Sequence, residues 1–402
     1  MRCCLIHLLV AAAGMLSALP AVGAVVSVHR RVITYTETTP AGDELKFTFT
    51  FSMANDLLTF SSVELNGITV NSTADSDNIG PFLLIGGWVG GNHTIAGPGG
   101  DMRTATTESM QLSVDGRPVE PADLAGGMEC TEFALEASNM IFMPASDIET
   151  FARETVTYTV AGNSIDVHVR HDYTCDKATY VDRYYGMQSM FYDETHVLTP
   201  GGVYATWTPV EEVGSFTRHS APNFNTFVER CGNAFQASYL DPSTGLGDHA
   251  MVSPTDVVYI GNSSGKSYHK LIGARLVKAG EPTEWHGVYS WFSRPVEDGC
   301  GGTGPGVFAY SGFIGGREAI FRLEPDGTCA ISYAGIDNVA ADSRGAFAYG
   351  GVGCITVTDA PDAVVYGITG MALHWGEGAF HCAPGIYLVS DGHGNLEKIR
   401  VR

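Results

Sequence analysis

The chain of 402 residues is 44% hydrophobic and 17% charged; this length can bury a large core, in one large domain with a smaller one or in two of similar size. With 44 acidic against 23 basic residues, its formal net charge is −21 at pH 7, which disfavours nucleic acid as a partner. Short runs of aromatic and β-branched residues, frequent glycines and the lack of long helical periodicity predict an all-β protein.

The first 24 residues have the composition of a secretion signal. Arg2 precedes an apolar run from Leu5 through Leu19, and the small residues Val22-Gly23-Ala24 suit a signal peptidase. We expect cleavage after Ala24 and a secreted or periplasmic mature chain. No later apolar run is long enough to cross a bilayer, so no membrane span is predicted.

The alternation of Leu45, Phe47, Phe49 and Phe51 with polar residues predicts a half-buried strand whose phenylalanines belong to the core. A glycine-rich stretch from residue 86 to 100 follows and surrounds Trp88. So many glycines indicate a tight loop or a close approach of the backbone to another group.

The same loop presents Asn92 and His93. We consider His93 either as a catalytic or substrate-binding residue, because loops on rigid sheets often carry sites, or as an ordinary loop histidine that bonds to nearby backbone.

The central segment is predicted to be a β-hairpin that carries the main candidate residues. Its second strand runs from Ile165 to Tyr173, and Ile165, Val167 and Val169 face the core. The residues between and beyond them must face the other way; they are Asp166, His168, Arg170 and Asp172. This face is either a binding surface or a solvated sheet face of no special role.

A further strand is predicted over residues 180–192. Tyr184, Gln188 and Met190 share one side if the strand is regular, and Met187 lies on the other. Because Met187 is a natural core residue, we expect Tyr184 and Gln188 to line a groove. His219, His269 and Lys270 are secondary candidates for the same groove.

A glycine-rich break at 297–306 predicts a domain boundary. We expect a large antiparallel β-sandwich of jelly-roll type over residues 25–296 and a smaller β region over 297–402. Seven cysteines follow the signal, four of them after residue 299, so disulfides are expected within the C-terminal region and at least one thiol is left over. No pair of cysteines has the CxxC spacing of a zinc site. No cofactor is predicted, and a structural Ca²⁺ ion is kept as an alternative.

Several enzyme classes lack their motifs. The GxSxG match at 261–265 is followed by a strand rather than a helix, and no dinucleotide fold, P-loop or HExxH sequence is present. A glycoside hydrolase needs two carboxylates roughly 5 to 9.5 Å apart. Asp166 and Asp172 are about 20 Å apart along one strand, so only a cross-strand pair would serve.

A polysaccharide lyase needs a residue that neutralises a uronate carboxylate, together with a base and an acid. The His-x-Arg strand at His168 and Arg170 and the Tyr-Tyr-x-x-Gln strand at 184–188 resemble those of the β-jelly-roll and β-sandwich polysaccharide lyases. The resemblance implies β-elimination on a uronate-containing polysaccharide, with His168 or Tyr184 as the base. It further implies that His93 is a base or neutraliser and that Asn92, Arg170 and Gln188 bind the carboxylate.

Two alternatives from other classes stay open. The first is a non-catalytic glycan-binding or adhesion protein, in which Trp88, Tyr184, Tyr185 and Trp291 supply stacking surfaces. The second is a glycoside hydrolase. The lyase hypothesis requires the loop around Trp88 to fold over the hydrophilic face of the central hairpin, so that His93, His168 and Tyr184 share one cleft.

Overall fold

The structure of the chain is a computed structural model. The residues it describes are 23–72, 77–91, 95–96, 102–144, 146, 148–190, 195–200, 204–213, 223–244, 258–261, 266–300, 306–333, 348–350, 354–358, 360–367, 372–383, 385–391 and 396–401.

The strands of the first half of the described chain are β1 (Ala24–His29), β2 (Val32–Thr38), β3 (Glu44–Phe51), β4 (Leu58–Leu65), β5 (Ile68–Ser72), β6 (Phe82–Leu84), β7 (Gly87–Val89), β8 (Ile95–Ala96), β9 (Met102–Arg103), β10 (Ala105–Val114), β11 (Arg117–Val119), β12 (Met128–Cys130), β13 (Phe133–Phe142), β14 (Thr150–Ala161), β15 (Ser164–Tyr173) and β16 (Thr179–Met190).

The strands of the second half are β17 (His196–Pro200), β18 (Tyr204–Pro209), β19 (Thr226–Cys231), β20 (Ala234–Leu240), β21 (Val258–Gly261), β22 (Lys266–Val277), β23 (Thr283–Phe292), β24 (Glu297–Asp298), β25 (Phe308–Ile314), β26 (Arg317–Leu323), β27 (Cys329–Tyr333), β28 (Ala348–Gly350), β29 (Cys354–Val357), β30 (Val364–Gly367), β31 (Ala372–Trp375), β32 (Gly378–His381), β33 (Gly385–Ser390) and β34 (Leu396–Val401). The described residues also form two short 3₁₀ helices, Pro121–Leu124 and Val210–Glu212.

The paired strands are antiparallel, and the prediction of an all-β antiparallel sandwich is confirmed. The largest sheet has ten strands in the order β11-β10-β13-β14-β15-β23-β20-β19-β17-β18. A six-stranded sheet, β12-β1-β2-β3-β4-β5, and a five-stranded sheet, β21-β22-β16-β6-β7, pack against it. Within the described part of the chain, no helical segment is long and apolar enough to span a membrane.

Aromatic side chains on one face of β23 join these layers. Trp285 donates a hydrogen bond to the Tyr184 hydroxyl of the five-stranded sheet (3.0 Å). Tyr289 and Trp291 pack edge-on against Phe60 of the six-stranded sheet, with ring centroids 5.2 and 6.0 Å away. Since alternate residues of a strand share a face, one face of the ten-stranded sheet carries both smaller sheets.

A four-stranded sheet, β24-β25-β26-β27, packs on the opposite face of the ten-stranded sheet. Phe308 and Tyr310 of β25 contact Phe292 of β23, with ring centroids 6.3 and 5.1 Å apart. This sheet covers only one part of that face, and the part that carries His168 stays half-exposed.

The C-terminal strands form a separate core that includes Ile355, Val365 and Val389. Strands β25 to β27 belong to the main core instead. The change from one core to the other therefore falls between residues 333 and 348, later than the boundary predicted at residue 297. The glycine-rich break begins with β24 of the four-stranded sheet, and its residues 301–305 lie outside the described residues.

The expectation that disulfides hold the C-terminal region is not met. Among the described residues, none of the cysteines is joined in a disulfide. Hydrophobic burial accounts for several of them instead, since Cys130 and Cys175 are buried and Cys382 packs against the C-terminal core. Free cysteine is among the most buried residue types, so packing alone explains these positions.

Residues 1–22 of the predicted signal lie outside the described residues. Strand β1 begins at Ala24, which pairs with Cys130 and is buried. Cleavage after Ala24 would therefore remove the first residue of β1.

We predict that Phe60→Ala lowers the free energy of unfolding by about 3–5 kcal/mol, because it leaves a cavity among Phe49, Tyr158, Tyr289 and Trp291. Chemical denaturation measures the change. The matched control is Ile68→Ala on β5, whose side chain is exposed, and it should change stability by about 0.5 kcal/mol or less. Equal losses in the two variants would contradict this account of the core.

Candidate functional site

The described chain offers two outer surfaces with functional side chains, one on each side of the sandwich. The first is the hydrophilic face of β15 and β23, which we call the acid–imidazole face; it consists of Asp166, His168, Arg170, Asp172, Glu284 and His286. The predicted alternation of β15 is confirmed, because Ile165, Val167 and Val169 are fully buried on the other side. The strand register sets His168 opposite His286 and Arg170 opposite Glu284.

His286 lies between two carboxylates. Its Nε2 is 2.8 Å from Asp166 Oδ1, and its Nδ1 is 3.3 Å from Asp241 Oδ2. Burial alone would lower the pKa of His286, but the hydrogen bonds to Asp166 and Asp241 outweigh it and raise the pKa to about 9. The hydrogen bond between Asp241 and His286 lowers the pKa of Asp241 to about 2. At neutral pH, His286 is therefore a cation with both nitrogens occupied, and it is not a general base.

The second carboxylate oxygen of Asp166 connects the four-stranded sheet β24-β25-β26-β27 to this site. Asp166 Oδ2 accepts a hydrogen bond from the backbone N–H of Gly315 (2.7 Å), in the turn between β25 and β26. That turn is tight: Gly315 and Gly316 both have positive φ, and a Cβ on Gly316 would meet the end of the Glu132 side chain. Asp166 and His286 thus join β15, β23 and this hairpin.

His168 and Arg170 face solvent as predicted, next to Glu284. Glu284 Oε2 is 3.8 Å from both His168 Nε2 and Arg170 Nη1. Arg170 makes two hydrogen bonds to the Asp172 carboxylate, of 3.0 and 2.9 Å. The charge of its guanidinium is thus balanced within the strand, and carboxylates outnumber cations on the acid–imidazole face.

The predicted groove position of Tyr184 is wrong, because Tyr184 is fully buried between the sheets. Its ring stacks on Phe82 with centroids 4.1 Å apart, and burial raises the pKa of its hydroxyl well above the usual range. A proton acceptor in this position has no access to solvent. Tyr184 is therefore not placed to act as the catalytic base that the resemblance to polysaccharide lyases implied.

Gln188 is also interior, contrary to the prediction. Its side chain is buried and Nε2 donates to the backbone carbonyl of Tyr185 (3.3 Å). The strand irregularities at Tyr184/Tyr185 and between Tyr185 and Gln188 explain the error, because a bulge interrupts the two-residue alternation. His269, a secondary candidate, is fully buried too.

The second surface is a row of three half-exposed rings on the outer face of the five-stranded sheet, which we call the aromatic strip. It consists of Trp88 on β7, Tyr185 on β16 and Tyr268 on β22. The Trp88 and Tyr185 rings are stacked with centroids 5.8 Å apart, and those of Tyr185 and Tyr268 are 4.7 Å apart. Arg183 borders the strip, donating to the Tyr185 hydroxyl (3.3 Å) and to Asp182 (2.7 Å).

The two surfaces do not form one cleft. The acid–imidazole face is the side of the ten-stranded sheet that points away from the five-stranded sheet, while the aromatic strip lies on the far side of the five-stranded sheet. Trp88 therefore does not meet His168 and Arg170, contrary to the arrangement that the lyase hypothesis required. The predicted site residues Asn92, His93 and His219 lie outside the described residues.

Sequence reasoning missed Glu284, His286, Asp241 and Tyr268 as partners in these surfaces. The sequence pattern could have revealed two of them. Glu284 and His286 flank the core residue Trp285 on β23, as Val167 and Val169 flank His168 on β15, and this alternation predicts that both side chains face away from the core. Asp241 follows β20, and only the tertiary fold brings it to His286. Within the described chain, no group of acidic, histidine and cysteine side chains is arranged to hold a metal ion.

No protein-family model matches the chain, and no curated protein does. Among solved structures, it is similar to a glycoside hydrolase family 97 enzyme from a Pseudoalteromonas strain, at 10% identity and a TM-score of 0.38, over 64% of this chain and 36% of that enzyme. It is likewise similar to a β-arabinopyranosidase, at 11% identity and a TM-score of 0.38, over 67% of this chain and 40% of that one.

A third similar structure is a galactose 1-epimerase from Lactobacillus acidophilus, at 11% identity and a TM-score of 0.36, over 67% of this chain and 98% of the epimerase. The chain thus spans well under half the length of the two glycosidases. TM-scores below 0.5 at such identity assign neither a fold family nor an activity to this chain.

We predict that the free energy of unfolding falls in alkaline solution as His286 loses its proton. Because the pKa of His286 is raised from 6.5 to about 9 in the folded protein, its contribution is complete below pH 6.5 and is lost as the pH rises through 9. The loss is about 3 kcal/mol. Urea denaturation at pH 7 and pH 9.5 should show about 2.4 kcal/mol of this loss.

His286→Gln should be less stable than the wild type at pH 7 and should lack this fall between pH 7 and 9.5. The control is His168→Gln on the same face, which should keep the fall because the His168 side chain is 47% exposed. An identical alkaline slope in His286→Gln and the wild type would contradict the role given to His286.

Proposed function

We propose that this protein is an exported, non-catalytic glycan-binding protein whose aromatic strip receives the sugar chain. The observation that carries the proposal is the continuous row of Trp88, Tyr185 and Tyr268 across the outer face of the five-stranded sheet. Export rests on the signal-like composition of residues 1–24.

Sugar rings suit such a surface because they have apolar C–H faces and hydroxyl-bearing edges. Tyrosine and tryptophan offer a rigid apolar ring with a polar tip, and they lose little conformational entropy on binding. At the strip, Arg183 and Asp182 supply a donor and an acceptor beside the Tyr185 ring. An amphipathic, hydroxyl-rich chain matches both the rings and this polar border.

An uncharged glycan fits better than a uronate polymer. The protein has a formal charge of −21, Arg183 is paired with Asp182, and Arg170 on the opposite side is paired with Asp172. Long-range repulsion is screened within about 10 Å, but the charges of the Arg183 and Arg170 guanidiniums are both balanced by these carboxylates. A uronate carboxylate would have to displace an internal partner to bind either one.

The lyase hypothesis is the weaker one on the same grounds. It needs a base near a carboxylate-neutralising group. His168 and Arg170 lie on an open face where Asp172 and Glu284 surround the guanidinium, and Tyr184 is buried in the core. A glycoside hydrolase would need a carboxylate pair facing a cleft, whereas Asp166 and Asp241 are both bonded to His286.

We predict that Trp88→Ala and Tyr185→Ala each weaken glycan binding about tenfold or more, because aromatic anchors dominate such interfaces. Retention on immobilised neutral and uronate-containing polysaccharides, followed by calorimetry with the retained glycan, measures the change. The control is Tyr180→Ala, an exposed tyrosine of the same strand outside the strip, which should bind as the wild type does. Unchanged binding in both strip variants would refute the proposed surface.

Incubation with the same polysaccharide panel should generate neither unsaturated uronate nor new reducing ends. Ultraviolet absorbance detects the first product, and a reducing-sugar assay detects the second. New absorbance that His168→Ala abolishes would restore the lyase hypothesis. Reducing ends without new absorbance would indicate a hydrolase.

A further inference from the structure

A buried carboxyl group links the two sheets behind the aromatic strip. Glu229 of β19, in the ten-stranded sheet, accepts hydrogen bonds at Oε1 from Ser189 of β16 (2.7 Å) and from Ser267 of β22 (2.9 Å), both in the five-stranded sheet. The two serine hydroxyls also lie 2.7 Å from each other. All three side chains are buried, so this contact is a direct polar connection between the layers.

Only one of the two carboxyl oxygens of Glu229 is used. Oε2 has no hydrogen-bond partner. A neutral carboxylic acid needs fewer partners than a carboxylate, because it carries no net charge to solvate. Burial raises the pKa of Glu229 to about 7, although the bonds from Ser189 and Ser267 oppose the rise.

The groups that face Glu229 do not offer a counter-charge. Ser238 of β20 donates to Ser189 (3.3 Å), and Tyr289 of β23 has its pKa raised well above the usual range by burial. His269, two residues after Ser267, packs on Phe227 of β19, and burial lowers its pKa to about 3. The described residues around Glu229 are therefore uncharged at neutral pH, and an ionised carboxylate there is uncompensated.

The same two strands carry the aromatic strip. Tyr268 directly follows Ser267 on β22, and its register partner on β16 is Gln188, next to Ser189. Gln188 in turn bonds to the backbone of Tyr185 (3.3 Å). A displacement of Ser267 thus reaches Tyr268 through one residue of backbone. A displacement of Ser189 reaches Tyr185 through the neighbouring Gln188 and its side-chain hydrogen bond.

We propose that Glu229 is a positioning residue for the aromatic strip, and that loss of its proton releases β16 and β22 and weakens glycan binding. This inference rests on the proposed function. Below neutral pH, the neutral carboxyl holds the serines and the strip is assembled. Above it, Ser189 and Ser267 bond more strongly to the carboxylate, but the charge on the unpartnered Oε2 is buried without a donor. Water then enters to solvate that charge, the layers separate, and the rings lose their alignment.

The test follows the pH dependence of the wild type and of Glu229→Gln, whose amide stays neutral at every pH. Affinity for the retained glycan should be about tenfold weaker at pH 8 than at pH 6 in the wild type, since only the protonated fraction is competent. Glu229→Gln should bind with nearly constant affinity. The control Glu284→Gln, an exposed carboxyl group on the opposite face, should keep the wild-type profile.

A measurement without glycan separates the two proposals. The part of the near-ultraviolet circular dichroism that Trp88→Phe removes should change with a midpoint near pH 7 in the wild type and stay constant in Glu229→Gln. If this midpoint is found but no glycan binds at any pH, the proposed function fails and the coupling stands. If the profiles of the wild type and Glu229→Gln coincide, the coupling is overturned.

Ser267→Ala provides a second variant in case Glu229→Gln does not fold. The Ser267 hydrogen bond lowers the pKa of Glu229, so its removal should move the spectroscopic midpoint to higher pH. An unmoved midpoint in Ser267→Ala would likewise overturn the inference.

Discussion

The packing of aromatic rings against one face of the ten-stranded sheet is the constraint on which this structure depends. Phe60 contacts Phe49, Tyr158, Tyr289 and Trp291, and such edge-to-face pairs stabilise a core beyond the area that they bury. Because this inner face is continuous, two smaller sheets can share it. The aromatic strip then lies on the outer face of the five-stranded sheet, and the acid–imidazole face lies on the part of the large sheet that the four-stranded sheet leaves uncovered.

Much of this architecture could be predicted from the sequence. The alternation of Phe47 and Phe49 with threonines gave a correct strand with buried rings, and the alternation along β15 correctly separated Ile165 and Val167 from Asp166 and His168. A two-residue period reports which side chains share a face. It does not determine how the sheets pack on one another. For this reason the prediction that Trp88 lies against the acid–imidazole face was wrong.

The errors at Tyr184 and Gln188 have a local cause. Irregular pairing on β16 makes Tyr184, Met187, Gln188 and Ser189 all buried, whereas an ideal strand would expose every second one. Bulges leave no reliable mark in a single sequence. The Asp241–His286 contact joins residues 45 apart, and no local pattern predicts it. The buried position of Glu229 could not be predicted either. The residues next to it in sequence do not indicate that two serines of the other sheet donate hydrogen bonds to it.

The turn between β25 and β26 constrains how this protein can be altered. The backbone N–H of Gly315 donates to Asp166, and Gly316 has a φ of +72° that strains any other residue; a side chain there would also have to displace the Glu132 carboxylate. Epitope tags or inserted peptides at this hairpin would therefore strain two sheets at once. Gly126, in the exposed turn before β12, has no positive φ and a Cβ there would meet nothing within 4 Å, so it offers a more permissive attachment point for labelling or immobilising the molecule.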